Sequence, residues 1–401
     1  MKKYIGIYCL YLIIVWGYFY YFYPLESFSD SNYGALAHAV FFSKLPLEWL
    51  LLYYLIDKNR VSNWIGWINR LVKFELGKTM IFSLLIIIGY GLLRLPFNLL
   101  WFVISHREGT SRQPLLDWFG EMGLDLFLYW IALSLGIWMT RILLKKYKKM
   151  WWLVLWLLIL PIVAFIVYIQ PVWIDPLYED FSTLEEGTLR TSIEELTSRM
   201  GLENVTLLQV NMSEKVTTFN AYVTGIMGNA RIVLWDTTLE GMEQDEILFI
   251  LAHEIGHYVM NHVYMGVGGY LLLSVVLFYL AAQLYRWILG KQQTKDSQGA
   301  KLENIPKLLL ILSILLTMSQ PISLYVSRQM ELSADKYAIE HTENLTPAME
   351  SYKRLAIQSK SDIDPLIWVK WMRYSHPSIS ERIELIQNEM KKRETLEQFD
   401  S

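Results

Sequence analysis

Long apolar stretches separated by short polar segments dominate the pattern of this chain. Each apolar stretch approaches or exceeds the roughly 20 residues that a helix needs to cross a bilayer. Six of them lie at about 4–23, 79–103, 118–140, 150–171, 263–285 and 308–327. A weaker seventh stretch at 36–56 is interrupted by Lys44, Pro46 and Glu48. The pattern predicts seven membrane-spanning helices, including a retained first span, because no small-residue cleavage site follows it.

The polar segments between these stretches predict a second kind of structure. Residues 172–262 contain a helical stretch at 184–200 and three β-branched runs at 205–210, 218–225 and 231–236, followed by an amphipathic helical pattern. A second polar block has helical patterns at about 328–342, 346–359 and 379–395. The sequence therefore predicts a mainly α protein with a small β-sheet.

Four regions follow from this division. They are an N-terminal membrane region of five spans (1–171), a first water-facing part (172–262), two further spans around a polar loop at 289–303 (263–327), and a second water-facing part (328–401).

Composition supports a membrane protein. Among 401 residues, 53% are hydrophobic and only 19% are charged, whereas soluble domains are nearer a quarter charged. This excludes a fully water-soluble or disordered chain, and a net charge of −3 gives no indication of nucleic-acid binding. The single cysteine, Cys9, lies in the first apolar stretch, which excludes a disulfide framework and zinc ligation by thiolates.

The strongest chemical signal is the sequence His253-Glu254-Ile255-Gly256-His257, inside a helical pattern. Residues four apart lie on one helix face, so both imidazoles can reach one zinc ion. Glu254 then stands beside the open coordination position, where it can take a proton from a water molecule. The alternative is a helix face with two structural histidines.

A catalytic zinc site requires a third protein ligand, and cysteine is not available for it. Glu331 and Asp335 are four residues apart, directly after the last apolar stretch. Glu331 is the candidate third ligand, and Asp335 is a candidate acceptor for the N–H of a ligating histidine. By itself this pair of carboxylates is more typical of a solvated helix face.

Taken together, these motifs resemble the type I CAAX prenyl protease family of integral-membrane zinc metallopeptidases, which are relatives of the HtpX-type proteases. The resemblance rests on the HExxH motif, Glu331–Asp335, 171–178 (PVWIDPLY), 219–222 (FNAY), Ser375-His376-Pro377 and Arg382. It implies a seven-helix bundle with a gluzincin-like protease domain, assembled from the segment after the fifth span and the C-terminal region.

The resemblance also implies roles for individual residues and one zinc ion per chain. His253, His257 and Glu331 would bind the metal, and Glu254 would be the general base. Asp335 would hold a ligating histidine, His376 would stabilise the oxyanion, and Arg382 would support His376 from nearby. Asn220 and Ala221 would lie on an edge strand that pairs with the substrate backbone.

Other polar residues receive simpler interpretations. His38, His106, His262 and His341 are expected at interfaces or on the surface, with His262 directed away from the metal because it is five residues past His257. Arg94, Glu121 and Asp125 fall inside apolar stretches, where they either form one Arg–carboxylate pair or line an intramembrane chamber.

The two arguments about membrane orientation disagree. Lysine and arginine are abundant near the N-terminus and in the even-numbered loops, which places the N-terminus in the cytoplasm and both water-facing parts outside. The family resemblance instead implies a cytosolic active site. The expected location is the plasma membrane for a bacterial chain and an endoplasmic-reticulum-type membrane for a eukaryotic one.

The predicted function is hydrolysis of peptide bonds in membrane-associated or C-terminally lipidated proteins, prenylated or not. An alternative is quality control of membrane proteins, as in HtpX-type proteases. A different class is an inactive membrane scaffold, which predicts loss of His253, Glu254, His257 or Glu331, although all four are present. The expected partners are a peptide or protein substrate and the bilayer, with no nucleic acid and no obligate partner protein.

Overall fold

The structure is a computed structural model that describes residues 2–57, 60–202, 205–225, 230–290 and 298–400. Most of these residues are helical. The first seven α-helices are α1 Lys2–Gly17, α2 Tyr33–Lys44, α3 Leu47–Asp57, α4 Arg60–Leu71, α5 Glu75–Arg107, α6 Leu115–Lys146 and α7 Trp151–Ile169. The others are α8 Thr188–Arg199, α9 Asp236–Gly241, α10 Gln244–Val259, α11 His262–Leu289, α12 Ile305–Glu340, α13 Thr346–Ser359, α14 Ile367–Arg373 and α15 Ile379–Asp400.

Seven helical segments of the described chain are long and apolar enough to cross a membrane. They are Lys3–Phe22, Tyr33–Ile56, Glu75–Arg107, Leu115–Lys146, Trp151–Leu177, His262–Leu289 and Leu302–Glu340. The predicted number of spans is confirmed. The predicted polar loop at 289–303 lies partly outside the described residues, at 291–297.

Two segments near the N-terminus differ from the sequence prediction. The weak second stretch consists of α2 and α3, which meet at Leu45 and Pro46 because proline has no N–H to continue the helical ladder. The sequence pattern did not predict α4, which buries Val61 and Ile68 on one face and exposes polar residues elsewhere.

The sheet contains four strands: β1 Phe181–Thr183, β2 Thr206–Val210, β3 Ala221–Thr224 and β4 Arg231–Trp235. Their spatial order is β1-β2-β4-β3, with β2 and β4 parallel and the other pairs antiparallel. Three strands were predicted, whereas the three-residue β1 is too short to give an alternating pattern. β3 is at the edge of this sheet.

Helix α10 is the centre of the water-facing core. Its buried Ile247, Leu251 and Ile255 belong to the same cluster as Ile232 and Leu234 of β4, and each such side chain contributes roughly 1.5–3 kcal/mol on burial. On another side α10 packs against α12. A Cβ at Gly256 would lie 2.9 Å from a ring carbon of Tyr337, so the glycine allows a close approach of these two helices.

Helix α12 joins the last span to the water-facing part. The predicted span at 308–327 and the predicted helix at 328–342 form this one uninterrupted helix of 36 residues. Its C-terminal part therefore extends the span beyond the apolar stretch and carries Glu331 and Asp335 toward α10.

Among the described residues, Glu121 and Asp125 pair with groups other than Arg94. Glu121 forms an ion pair of 2.7 Å with Lys215, which lies between β2 and β3. Asp125 accepts a hydrogen bond of 2.7 Å from Tyr178, and Arg94 contacts the hydroxyl of Tyr90. Glu121 and Asp125 of α6 are thus both partnered by groups outside the spans.

His38 was expected at an interface or on the surface, and this was wrong. Its side chain is fully buried, with Nε2 3.0 Å from Asp362, and the same Asp362 oxygen accepts a hydrogen bond of 2.5 Å from Tyr23. This buried contact attaches the first two spans to the C-terminal region.

Candidate metal centre

The HExxH helix brings two imidazoles together. A capping box of Glu243 and Glu246 begins α10, and His253 and His257 follow on one face, one turn apart. Their Nε2 atoms are 3.1 Å apart. His253 is buried and His257 is half-buried, so both rings point into one partly closed site.

Glu331 of α12 approaches the same point from the opposite side. Its carboxylate oxygens lie 3.2 Å from Nε2 of His253 and 3.5 Å from Nε2 of His257. Glu331 Oε2 is buried and accepts no hydrogen bond. Ligands bound tetrahedrally at 2.0–2.1 Å are separated by about 3.4 Å. The three side chains therefore fit a single divalent cation, and they are a group of histidines and carboxylates that could hold one.

A buried network supports His253 from behind. Its Nδ1 lies 2.8 Å from Asp335 Oδ1. Arg382 donates to both Asp335 oxygens, at 2.5 and 2.9 Å, and Tyr352 donates to Oδ1 at 2.6 Å. The Arg382 guanidinium also lies over the Tyr352 ring. Asp335 is thus held on several sides, and its carboxylate fixes the orientation of the His253 ring.

The electrostatics of the site favour positive charge. Burial alone would lower the pKa of His253, but the nearby Asp335 and Glu331 carboxylates raise this pKa to about 9. Burial likewise opposes the charge of Arg382, yet the Asp335 carboxylate raises the pKa of its guanidinium above the usual value. The negative field that retains a proton on His253 also attracts a metal cation.

Glu254 stands beside the cluster without joining it. Its carboxylate is 4.0 Å from Nε2 of His253, and the side chain remains 21% exposed. Burial by the surrounding protein raises the pKa of Glu254. This carboxylate is reachable by water and has an increased proton affinity, which is the combination that a general base needs.

His376, from the connection between α14 and α15, reaches the same site. Its Nε2 is 3.4 Å from Glu331, and 57% of the side chain is exposed. Nδ1 lies 3.0 Å from the Ser375 hydroxyl. When that hydroxyl donates to Nδ1, the ring carries its proton on Nε2, which faces the metal cluster.

The structure differs from the sequence prediction for Arg382. Among the described residues its hydrogen bonds go to Asp335 and Tyr352, and its guanidinium also lies 3.3 Å from Nδ1 of His253. None of these bonds goes to His376. Tyr352 was not recognised from the sequence, because a tyrosine within an amphipathic helix resembles any other core residue.

Asn220 and Ala221 lie on the sheet and away from the ligand atoms. Ala221 begins the edge strand β3 and is buried, whereas Asn220 precedes the strand and is exposed. The carbonyl of Asn220 still accepts a hydrogen bond from Trp235 of β4. β3 packs against α10, the helix that carries His253 and His257.

His262 was expected at an interface or on the surface, directed away from the metal, and the expected exposure was wrong. It is buried, and its Nδ1 lies 2.9 Å from Nδ1 of His257. The prediction assumed one continuous helix, but α10 ends at Val259. Asn261 then adopts a left-handed conformation with φ 58° before α11 begins, and this tight turn brings His262 back toward α10. The Met-Asn-His sequence contains the signal, because asparagine is tolerated in this conformation.

We expect Asp335→Asn to weaken zinc affinity by about 10–100-fold without eliminating binding, because the amide cannot replace the carboxylate behind His253. Competition with a chelator measures the change. Glu350→Gln is the matched control, since Glu350 is exposed and pairs with Lys353 of its own helix. Unchanged zinc retention in Asp335→Asn would make Asp335 a structural carboxylate.

His376→Ala should lower kcat by about 10²–10³, as removal of a single oxyanion donor does in other enzymes. Zinc content and KM should change little, because the hydrogen bond strengthens only in the transition state. Steady-state kinetics and metal analysis of one preparation test both points. Loss of zinc would instead identify His376 as a ligand, and an unchanged kcat would leave it without a catalytic role.

Two family models together match most of the chain. Residues 183–390 match "Peptidase family M48", and residues 6–180 match "CAAX prenyl protease N-terminal, five membrane helices". The first includes every residue of the metal cluster. The chain is thus a multi-pass integral membrane protein.

Individual proteins agree with these matches. The "Uncharacterized metalloprotease YhfN" of Bacillus subtilis is 38% identical over 91% of this chain and 86% of its own length. "CAAX prenyl protease 1" of Saccharomyces cerevisiae is 29% identical over 70% of this chain and 66% of its own length. The crystal structure of S. mikatae Ste24p superposes on this chain with a TM-score of 0.68 at 24% identity, covering 88% of this chain and 83% of that one. The two proteins therefore share a fold.

Proposed function

This chain belongs to peptidase family M48, and we propose that it is a zinc endopeptidase that cleaves membrane-associated proteins close to the bilayer. The observation that carries the proposal is the convergence of His253, His257 and Glu331, with Glu254 at 4.0 Å from the His253 ring nitrogen. A metallopeptidase follows from the family. The identity of the metal and the roles of these residues are our proposal.

Zinc is the metal that this ligand set favours. Two histidines and one glutamate, with a fourth position open, form a recurring catalytic zinc site. When bound, zinc would lower the pKa of a water molecule toward 7 and polarise the carbonyl of the scissile bond.

The remaining steps of peptide hydrolysis are carried out by residues of the protein. Glu254 takes a proton from the attacking water and delivers it to the leaving nitrogen, which its reachable carboxylate and raised pKa support. His376 donates from Nε2 to the carbonyl oxygen as negative charge develops there. The edge strand β3, with Asn220 and Ala221 at its start, aligns the substrate backbone as an added strand.

The dimensions of α12 support cleavage at the membrane surface. Glu331 is 26 residues after the start of this helix at Ile305, a distance of about 39 Å at 1.5 Å per residue. The hydrocarbon core of a bilayer is about 30 Å thick. The metal cluster is therefore expected one or two helical turns outside the hydrocarbon, where a tethered protein substrate can reach it.

We further propose that the substrates are C-terminally lipidated proteins. Support comes from relatives such as the yeast protein named CAAX prenyl protease 1. An enzyme of this specificity gains binding energy from the lipid, whereas a quality-control protease of membrane proteins depends on exposed polypeptide.

A matched pair of peptides tests the substrate. The purified chain in detergent is incubated with one CAAX-type peptide, with and without a prenyl group on its cysteine. We expect kcat/KM for the prenylated peptide to be greater by at least about tenfold, which is the effect of 1.4 kcal/mol. Equal rates would contradict a lipidated substrate and favour quality control.

A further inference from the structure

His262 lies outside the HExxH motif but is in contact with it. It is the first residue of α11 and only 7% exposed. Its Nδ1 is 2.9 Å from Nδ1 of His257, and its Nε2 is 3.2 Å from the hydroxyl of Ser333. Ser333 stands on α12, two residues after Glu331.

The proton positions along these contacts have one consistent arrangement. His257 directs Nε2 at the ligand cluster, so its neutral ring carries the proton on Nδ1. His262 Nδ1 must then accept that N–H, which leaves the His262 proton on Nε2 for donation to Ser333. The Ser333 hydroxyl in turn donates to the carbonyl of Met330 at 2.7 Å. In this series of three hydrogen bonds, from His257 to His262, Ser333 and the carbonyl of Met330, every donor has an acceptor.

We propose that His262 is the positioning residue for His257. It holds the imidazole in the tautomer and orientation that direct Nε2 at the metal, and Ser333 anchors it to the helix that carries Glu331. This inference rests on the proposed metal site. His262 is not itself a ligand, because it contacts Nδ1 of His257, the ring nitrogen that faces away from the cluster.

The two histidine ligands are therefore held in different ways. His253 is backed by the charged carboxylate of Asp335, which Arg382 and Tyr352 hold in place. His257 is backed by a neutral imidazole, which orients the ring without a second negative charge beside the site. The His262 contact also spans three elements, α10, α11 and α12, so it fixes the separation of the helices that supply the ligands.

Zinc affinity of the purified full-length protein, measured by competition with a fluorescent chelator, tests the proposal. We expect His262→Ala to raise the Kd for zinc by about 10–100-fold, the usual effect of losing a group that orients a ligand. His262→Asn should remain within about threefold of wild type, because its amide oxygen lies near the position of Nδ1 and accepts the same N–H. The Kd for zinc of Ser333→Ala should lie between the values of the two His262 variants.

Two controls separate positioning from general stability. His341→Ala makes the same chemical change at an exposed histidine directly after α12, whose Nδ1 contacts the carbonyl of Tyr337 in that helix. This variant should bind zinc as wild type does. The Tm of each metal-free variant reports the fold. Selective loss of zinc affinity in His262→Ala, with rescue by asparagine, supports the proposal.

Three outcomes would contradict the proposed role of His262. A wild-type Kd in His262→Ala would overturn the proposal, as would equal losses of affinity in the alanine and asparagine variants. A lower metal-free Tm with unchanged zinc affinity would make His262 a packing residue only. If the wild-type protein itself takes up no zinc, the proposed function fails and not this inference alone.

Discussion

Glu254→Gln should reduce proteolysis by about 10²–10⁴-fold, the contribution typical of a positioned general base, while one zinc ion per chain remains bound. The amide has the shape of the carboxylate but cannot accept the proton from the attacking water. The ligand atoms are unaffected, because Glu254 lies beside the cluster and its carboxylate is 4.0 Å from the His253 nitrogen. Peptide hydrolysis and metal analysis on one preparation measure the two effects.

Glu340→Gln is the matched control for this prediction. Glu340 is the exposed last residue of α12, so the same loss of one carboxylate there should leave the rate unchanged. Activity of Glu254→Gln within a few-fold of wild type would contradict the assignment of the base.

Glu331→Gln should abolish stable zinc binding, and with it proteolysis. The carboxylate is one of three protein ligands, and its buried Oε2 has no hydrogen-bond partner. The affinity loss should exceed the roughly 10–100-fold typical of groups behind a ligand. A second readout is thermal. Zinc at about 1,000 times its Kd stabilises a protein by about 4 kcal/mol, so zinc should raise the Tm of wild type and leave that of Glu331→Gln unchanged.

The control for Glu331 is a neighbouring carboxylate of the same network. Asp335→Asn is expected to weaken zinc binding while keeping one ion per chain at saturation. If Glu331→Gln retained zinc with wild-type affinity, Glu331 would not be a ligand and the third ligand would have to be His376, whose Nε2 is 3.4 Å from it.

Local features of the site were accessible from the sequence. The separation of His253 and His257 by four residues fixes their relative direction through helix geometry alone, and the structure has their Nε2 atoms 3.1 Å apart. The same rule places Glu331 and Asp335 on one face of α12. Apolar stretches of sufficient length gave the seven spans for a similar reason, since bilayer thickness sets a minimum helix length.

Features that depend on turns or on distant segments were not accessible in this way. His262 was misplaced because a single left-handed residue, Asn261, reverses the chain between two helices. Arg382 and Tyr352 meet Asp335 only through the packing of α13 and α15. The position of His376 followed from family resemblance, because no periodicity links residues more than a hundred positions apart.

The central claim is that this chain is a metal-dependent peptidase that requires zinc, and removal and return of the metal tests it most directly. The purified protein is stripped with a chelator, assayed on a peptide substrate, and titrated with zinc while bound metal is counted. We expect hydrolysis to disappear on stripping and to return in proportion to bound zinc, with full activity at one ion per chain and none in Glu331→Gln. Hydrolysis that persists in the fully stripped protein, or that fails to return when one zinc ion per chain is bound, would contradict the account.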